Sequence, residues 1–322
     1  MKKTLSLVVA LALLATLPDI SLAQAIKADP KLPRYKKKDG VSGKVSSIGS
    51  DSMNNLLALW GDGFKKFYPS VVIEFEGKGS STAPPALLAG TAQLGPMSRE
   101  MKADEIDRIE KKYGFKPTSI NTALDGLAVY VHKDNPVKSL TLAQVDAVFS
   151  KTRRGGYRSD VTRWNEIEPG MPDQPISLYG RNSASGTYGF FKEHALFRGD
   201  FKDRVKEQPG SASVVQGVSR DRNGIGYSGV GYKTSGVRAI PIAEKDGAQA
   251  FEPTYENVEE GKYPIARFLF LYILKDPKRP LDPLVKEFLT YVLSFEGQSD
   301  AVRDGYYPLT ARLVEKELTK LE

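Results

Sequence analysis

Hydrophobic residues along the chain follow two spacings that alternate with each other. From Asn54 to Tyr68, leucines and aromatic residues recur at helical spacing, and Val71 to Phe75 then alternates as a strand does. A short strand is predicted just before them, from Gly43 to Ile48. Further segments follow the same order, with strands predicted at 92–95, 126–131, 176–179, 225–227 and 266–274 and helices at 84–88, 142–149, 283–293 and from 188 onward. Strands that alternate with helices predict an α/β fold with largely parallel sheets.

The first 23 residues have the pattern of a secretory signal peptide. Lys2 and Lys3 precede an apolar run at 5–17, and the triplet 21–23, with a small residue at each end, supplies a cleavage site. We expect cleavage after Ala23, with position 25 as the second choice, and export to the periplasm. Residues 24–43 hold two prolines and a run of lysines but few apolar side chains, so they are predicted to be a flexible leader.

Composition narrows the class of protein. The chain has 322 residues and no cysteine, so it can have no disulfide, thiolate metal site or lipid on an N-terminal cysteine. Its length exceeds what one hydrophobic core usually fills, which predicts two lobes or domains. The formal charge of +7 comes from basic residues interspersed with acidic ones. That arrangement argues against a nucleic-acid partner and favours attraction of small anions.

Three loops share one design, in which a predicted strand ends, glycine and serine cluster, and a predicted helix begins. They lie at 49–53, 77–82 and 180–187. A helix N-terminus offers unpaired backbone N–H groups, serine and threonine hydroxyls add donors, and glycine lets the backbone approach a ligand closely. Any one of these loops is also explained by ordinary helix capping. Three of them in one chain indicate convergence on an anion.

Arg181 strengthens that interpretation of the third loop. It begins the sequence Arg181-Asn-Ser-Ala-Ser185-Gly186-Thr187, and its guanidinium is a planar fork of donors suited to a tetrahedral oxyanion. A surface ion pair is the alternative role for an arginine. The serine-rich sequence after it favours the anion site.

An enzymatic function has little support in the sequence. The chain has two histidines, His132 and His194, and neither has the spacing of a metal ligand set. Ser185 lacks the Gly-x-Ser-x-Gly pattern of a nucleophile elbow. A phosphatase that used the same donor loops would still need an attacking group. We therefore predict a binding protein that uses no metal and no cofactor.

A series of short motifs runs in order from about residue 44 to 310. They are Gly49-Ser50-Asp51-Ser52-Met53, Gly79-Ser80-Ser81, the Arg181 to Thr187 segment, Gly224-Ile225-Gly226-Tyr227, Tyr263-Pro264-Ile265-Ala266-Arg267, Gly297-Gln298 and Gly305-Tyr306-Tyr307-Pro308-Leu309. In this set and order the chain resembles the phosphate-binding proteins of bacterial phosphate ABC transporters. The resemblance implies a monomer that binds inorganic phosphate in the periplasm and delivers it to an inner-membrane ABC permease.

The resemblance also implies the architecture. We expect a two-lobed periplasmic binding protein fold, type II-like, in which the chain crosses between lobes near 125–130 and again near 263–268. Lobe I would comprise 44–126 with 265–322, and lobe II would comprise 127–264. The ligand would lie in the cleft between them, held by Ser50, Asp51, Ser52, Ser80, Ser98, Arg99, Arg181, Ser185, Gly186 and Thr187.

One departure from the family pattern bears on selectivity. In better-known members an aspartate follows the strand predicted here at 92–95 and accepts the proton of hydrogen phosphate, whereas this chain has Met97-Ser98-Arg99. Asp51 is a candidate replacement, with Arg99 adding positive charge or holding Asp51 in place; a plain helix cap is the alternative role for Asp51. Without an acceptor, a site of donors does not separate hydrogen phosphate from sulfate. Sulfate, molybdate and phosphorylated metabolites therefore stay open as ligands.

Overall fold

The computed structural model describes residues 26–322, and the predicted signal peptide lies outside these residues. Strands and helices alternate along most of this length, as the hydrophobic pattern predicts. The strands are β1 Lys44–Gly49, β2 Val72–Gly77, β3 Gly95–Met97, β4 Thr118–Gly126, β5 Ala128–His132, β6 Leu140–Thr141, β7 Ser177–Arg181, β8 Lys206–Gln208, β9 Gly224–Ser228, β10 Val237–Ala239, β11 Ile242–Ala243, β12 Ala250–Phe251 and β13 Ala266–Ile273.

The helices lie between these strands and, after β13, at the end of the chain. They are α1 Asn54–Lys65, α2 Ala83–Ala89, α3 Ala103–Tyr113, α4 Leu142–Phe149, α5 Gly186–His194, α6 Ser211–Arg220, α7 Tyr255–Glu259, α8 Pro283–Val292, α9 Phe295–Arg303 and α10 Ala311–Thr319. Helix α4 has the bounds predicted from sequence, and its N-cap Thr141 accepts a hydrogen bond from the backbone N–H of Gln144. A capping residue before an apolar run is the signal that makes such a helix predictable.

Lobe I is built on a sheet of mixed direction, and this differs from the largely parallel sheets predicted from sequence. β1 and β2 pair in parallel, and β13 lies antiparallel between β3 and β4. A parallel bridge between Ser47 and Leu94 joins the two groups, and the backbone N–H of Ser50 donates to the carbonyl of Pro96 at 2.7 Å. The joined order is β2-β1-β3-β13-β4. The ends of β1 and β3 therefore lie side by side, which brings the loops that follow them together.

Lobe II is built on a second sheet of five strands, in the order β10-β5-β9-β7-β8. β7 is parallel to both β8 and β9, whereas β5 is antiparallel to β9. A small three-stranded sheet of β12, β11 and β6 flanks it. Helix α5 starts directly after the loop that follows β7, so its N-terminus lies at the carboxyl edge of the sheet, where ligands bind in open α/β sheets.

The chain crosses between the lobes at two places that lie against each other. β4 ends at Gly126 and β5 begins at Ala128, while β13 begins at Ala266 and pairs with β4 through Gly126 and Asp125. The backbone N–H of Leu127 donates to the carbonyl of Ile265 at 2.9 Å. Two crossings of this kind are those expected of the two-lobed binding fold. The lobe limits drawn from sequence remain predictions.

Two predicted strands differ from the structure. The apolar run 126–131 was predicted as one strand, but it breaks at Leu127, where the chain passes from one sheet to the other. The strand predicted at 92–95 lies instead at Gly95–Met97, because pairing with β13 sets its register. Strand β4, in which polar and apolar residues mix, is absent from the sequence prediction.

Residues 26–43 pack on lobe I without regular secondary structure. Ala28, Leu32 and Tyr35 are buried, and the Tyr35 hydroxyl donates to Glu287 at 3.0 Å and lies 2.9 Å from the Tyr68 hydroxyl. This packing differs from the flexible leader expected from composition. The Tyr35 ring packs against Phe64 of α1 and Tyr291 of α8, so a few buried apolar side chains hold a segment whose average polarity is high.

Within residues 26–322, no helix is long and apolar enough to cross a membrane. Over the same residues, no group of three or more histidine and acidic side chains is placed to hold a metal ion.

The contacts of Tyr35 predict that the N-terminal segment stabilises lobe I. Tyr35→Phe removes a buried hydroxyl that two partners use, and we expect the free energy of unfolding to fall by about 1–3 kcal/mol. Chemical denaturation measures this. The matched control is Tyr157→Phe, since the Tyr157 hydroxyl makes one exposed contact of 3.5 Å with the carbonyl of Glu166. Equal stability of the two variants would show that the hydrogen bonds of the Tyr35 hydroxyl do not contribute.

Candidate functional site

All ten residues predicted from sequence to form the site are buried in the structure. The most exposed of them, Asp51, retains 8% of its accessible surface. The loop after β1 forms a single 3-10 turn at Asp51–Met53, and the loop after β2 forms another at Ser80–Thr82. Both face the N-terminus of α5 across the cleft. The structure therefore brings the three loops together, as their shared design predicts.

One half of the site is a chain of serine hydroxyls from lobe I. The Ser50 hydroxyl donates to that of Ser98 at 3.0 Å, and the Ser98 and Ser80 hydroxyls lie 3.3 Å apart. The backbone N–H of Ser98 also donates to the Ser80 hydroxyl, at 3.0 Å. All three side chains are fully buried. Because a hydroxyl both donates and accepts, this chain can reorient to present donors to a ligand.

The other half joins lobe I to lobe II. The Ser52 hydroxyl lies 2.8 Å from that of Thr187 in α5 and 3.3 Å from that of Ser211 at the start of α6. The backbone N–H of Ser81 donates to the carbonyl of Ala184 at 3.1 Å. These contacts cross the cleft, so the structure is a closed form.

The N-terminus of α5 is the point of closest approach between the lobes. Ser185 caps the helix, and its hydroxyl accepts from the N–H groups of Thr187 and Tyr188. Gly186 follows, and a Cβ atom at this position would lie 2.2 Å from the Ser80 hydroxyl and 2.6 Å from that of Ser98. Only glycine permits this contact. It brings the positive end of the helix dipole against the serine chain.

Arg181 and Asp51 form an ion pair across the cleft. Nη2 of Arg181 lies 2.8 Å from Oδ1 of Asp51, and both side chains are nearly inaccessible to water. This oxygen has no hydrogen bond of good geometry, whereas Oδ2 accepts from the backbone N–H of Ser211 at 3.4 Å. Arg181 also donates to the Ser211 hydroxyl and to the carbonyls of Gln208 and Pro209. Asp51 is thus a charged member of the site and not a plain helix cap.

The structure corrects the role expected of Arg99. Its guanidinium makes two hydrogen bonds of 2.8 Å with the carboxylate of Glu105 on α3 and one of 3.3 Å with the Ser81 hydroxyl. It is therefore neutralised by Glu105 and does not hold Asp51. Arg181 makes the contact with Asp51 that sequence reasoning assigned to Arg99. An acidic residue six positions downstream, in the first turn of a helix, was the available signal.

Two residues that contact the predicted site residues, Ser211 and Arg267, were missed from sequence. Ser211 completes the contacts of Ser52 and Arg181. Arg267 donates to the Ser98 carbonyl at 2.7 Å and to the Thr187 hydroxyl at 3.1 Å, and it pairs with Asp125. Arg267 stands inside one of the motifs that carried the family resemblance, so position in a motif was the signal. Ser211 stands outside those motifs.

Two tyrosines donate hydrogen bonds to the first loop, 49–53, on the side away from the cleft. The Tyr306 hydroxyl donates to the carbonyl of Ser52 at 2.7 Å, and the Tyr232 hydroxyl donates to the carbonyls of Ser52 and Asp51 at 3.2 Å each. Burial raises the pKa of both hydroxyls above the usual range for tyrosine. They therefore stay neutral donors, and the carbonyls of the loop are satisfied away from the cleft.

Known proteins of similar sequence identify the family. A family model described as a PBP superfamily domain matches residues 36–296. The chain is 52% identical over 305 residues to the phosphate-binding protein PstS of Pseudomonas aeruginosa, with 94% of each chain covered. This chain belongs to the phosphate-binding protein family. Its members are substrate-binding proteins, in agreement with the sequence prediction.

Solved structures agree with the fold. A structure from Clostridium perfringens with bound phosphate has a TM-score of 0.70 and 28% identity, covering 83% of this chain and 100% of that one. An ABC-type phosphate transport receptor from Vibrio cholerae has a TM-score of 0.64 at 22% identity, covering 82% and 100%. The phosphate-binding protein family thus shares the two-lobed architecture described here.

The glycine at the start of α5 predicts a variant with impaired closure. Gly186→Ala places a methyl group inside the contact distance of Ser80 and Ser98, and we expect the lobes to stay apart while each remains folded. Small-angle X-ray scattering in saturating phosphate should then give a larger radius of gyration than for the wild type. The affinity for phosphate should fall by at least about tenfold, because the binding-competent form is depleted.

Gly210→Ala is the matched control. Gly210 also lies in lobe II beside the site, but a Cβ atom there would have its nearest neighbour, Asp51 Oδ2, at 3.9 Å. We expect this variant to close and bind as the wild type does. Closure of Gly186→Ala to the wild-type radius of gyration would contradict the structural argument.

Proposed function

We propose that this protein captures inorganic phosphate in the periplasm and delivers it to an inner-membrane ABC permease. The observation that carries the proposal is the convergence of buried hydroxyls from both lobes on the N-terminus of α5, with Arg181 beside them. Because the chain belongs to a family of phosphate-binding proteins, phosphate is the ligand that we propose for this arrangement. We propose that it binds phosphate as the hydrogen phosphate or dihydrogen phosphate ion.

Burial of a phosphate ion needs many donors. Desolvation of a charged group costs several kcal/mol, and a hydrogen bond to a charged group contributes about 1.5–3 kcal/mol. The hydroxyls described above, the first N–H groups of α5 and the Arg181 guanidinium offer enough donors to compensate. We propose as ligand-binding residues Ser50, Asp51, Ser52, Ser80, Ser98, Arg181, Ser185, Gly186 and Thr187. Arg99 and Ser211 support this set from outside.

The role we propose is capture and release, without chemical turnover. Phosphate stabilises the closed form because its donors come from both lobes, and the permease would recognise that form. The signal-peptide pattern at the N-terminus supports export to the periplasm. We propose further that the protein acts as a monomer.

Selectivity for phosphate over sulfate rests on Asp51 in this proposal. An ionised carboxylate only accepts hydrogen bonds, so it favours an oxyanion that carries a proton and repels one that is fully ionised. After β3 this chain has Met97-Ser98-Arg99 where better-known family members have an aspartate, and neither the Ser98 hydroxyl nor the Arg99 guanidinium imposes this preference. Sulfate binding is the second candidate, favoured by that serine.

Titration of ligand-stripped protein tests the ligand. We expect isothermal titration calorimetry to show one phosphate bound per chain, both above and below the second ionisation of phosphate, and little or no heat with sulfate. Equal binding of both ions would assign a general oxyanion site. Binding of neither ion would contradict the proposed function.

Replacement of Asp51 by asparagine tests the acceptor. Asp51→Asn keeps the size of the side chain and removes its charge, so we expect the ratio of phosphate to sulfate affinity to fall by at least about tenfold. Competition titrations at constant pH and ionic strength measure the ratio. Asp62→Asn, an exposed residue on α1, is the control. An unchanged ratio in Asp51→Asn would show that another group accepts the hydrogen bond from the protonated oxygen of phosphate.

A further inference from the structure

Asp125 and Arg267 form a buried ion pair where the two crossing segments meet. The residues are register partners on β4 and β13, and Nε and Nη2 of Arg267 lie 2.9 Å and 2.8 Å from Oδ2 of Asp125. Their side chains are 1% and 0% exposed. Each charge is withdrawn from water and depends on the other for compensation.

The pair has partners in both lobes. Within lobe I, Nη1 of Arg267 donates to the carbonyl of Ser98 at 2.7 Å. Towards lobe II, Nη2 donates to the Thr187 hydroxyl at 3.1 Å, and Oδ1 of Asp125 accepts from the backbone N–H of Val230 at 2.9 Å. Two of these three contacts therefore exist only while lobe II lies against the crossing segments.

Opening of the cleft would leave this pair incompletely bonded. Thr187 and Val230 move with lobe II, so Arg267 would lose an acceptor and Asp125 a donor. A buried charged group that loses a partner is costly unless water reaches it. Gly229, next to Val230, lets the backbone approach closely, since a Cβ atom there would lie 3.2 Å from Oδ2 of Asp125. The pair thus favours the closed form even when no ligand is bound.

Arg267 also orients a hydroxyl of the site. Thr187 accepts a hydrogen bond from Arg267, so its own proton points to another acceptor, either the Ser52 hydroxyl 2.8 Å away or an anion in the cleft. The guanidinium acts on the ligand through Thr187 and is a positioning group.

We propose that the Asp125–Arg267 pair is a latch that holds the lobes closed and sets the Thr187 hydroxyl as a donor. The pair raises the closed fraction of the ligand-free protein, and through that fraction it raises the affinity for the anion. The latch rests on the proposed function only in the choice of phosphate as the ligand to be titrated.

The experiment measures closure and binding separately. The chain has no cysteine, so Lys65→Cys at the end of α1 in lobe I and Arg220→Cys at the end of α6 in lobe II can carry spin labels. Both residues are exposed, and both lie at the helix end remote from the cleft. Double electron–electron resonance then gives the closed fraction with and without phosphate. The test variant is Asp125→Leu with Arg267→Met, which removes both charges with side chains of similar size and leaves no unpaired ion.

We expect this double variant to fold and to have a ligand-free closed fraction lowered by at least about tenfold, with phosphate affinity lowered by a similar factor. Lys202→Met is the control for loss of a buried cation. Lys202 pairs with Asp160 and donates to two carbonyls, all within lobe II. We expect it to lower stability but to leave the closed fraction and the phosphate affinity unchanged.

Two outcomes would overturn the latch. One is a wild-type closed fraction retained in the double variant, and the other is a wild-type chain with no closed population in either condition. Failure of the phosphate function has a different signature, because the wild type would then give no titration heat while the ligand-free distances still reported the effect of the pair.

Discussion

The main constraint on this molecule is that it buries charges between two lobes that move apart. Each charge in the cleft must be compensated when the lobes meet, and the compensating groups have to come from the correct lobe. Asp51 from lobe I meets Arg181 from lobe II at 2.8 Å. Asp125 and Arg267 compensate each other on the crossing segments and extend hydrogen bonds to both sides. Protein charges in the cleft are therefore paired, and an anion that enters depends on hydroxyls, backbone N–H groups, a helix N-terminus and the N–H groups of an arginine that Asp51 already neutralises.

The same constraint explains why glycine stands at the lobe contacts. Neutral donors act over short distances, so the loop backbones have to approach within hydrogen-bonding range. Gly186 against Ser80 and Gly79 against Ala184 provide that approach, because a Cβ atom at either position would overlap the opposite lobe. Binding that uses donors from both lobes consequently requires lobe closure. A side chain that blocks the approach removes donors on both sides of the cleft at once.

Sequence reasoning identified the loops of the candidate site better than it identified the charge pairs between them. The loops at 49–53, 77–82 and 180–187 were identifiable because capping residues and glycines have local signatures, and the structure places all three together. The contacts of Arg99 and Arg267 depend on tertiary pairing. Arg99 meets Glu105 through the turn into α3, and Arg267 meets Asp125 through the register of β13 with β4. Strand β3 was displaced in the prediction for the same reason, since a partner strand sets its limits.

The acceptor proposed here, Asp51, lies in a different loop from the acceptor of better-known family members. An acceptor directly after β3, at 97–99, would belong to lobe I, beside its chain of serine hydroxyls. Asp51 lies instead in the first loop, and its charge is compensated from lobe II by Arg181. An acceptor of this kind is complete only in the closed form, when Arg181 holds the carboxylate in place. Discrimination between protonated and fully ionised oxyanions would then depend on closure, whereas a carboxylate compensated within lobe I would discriminate in the open form as well.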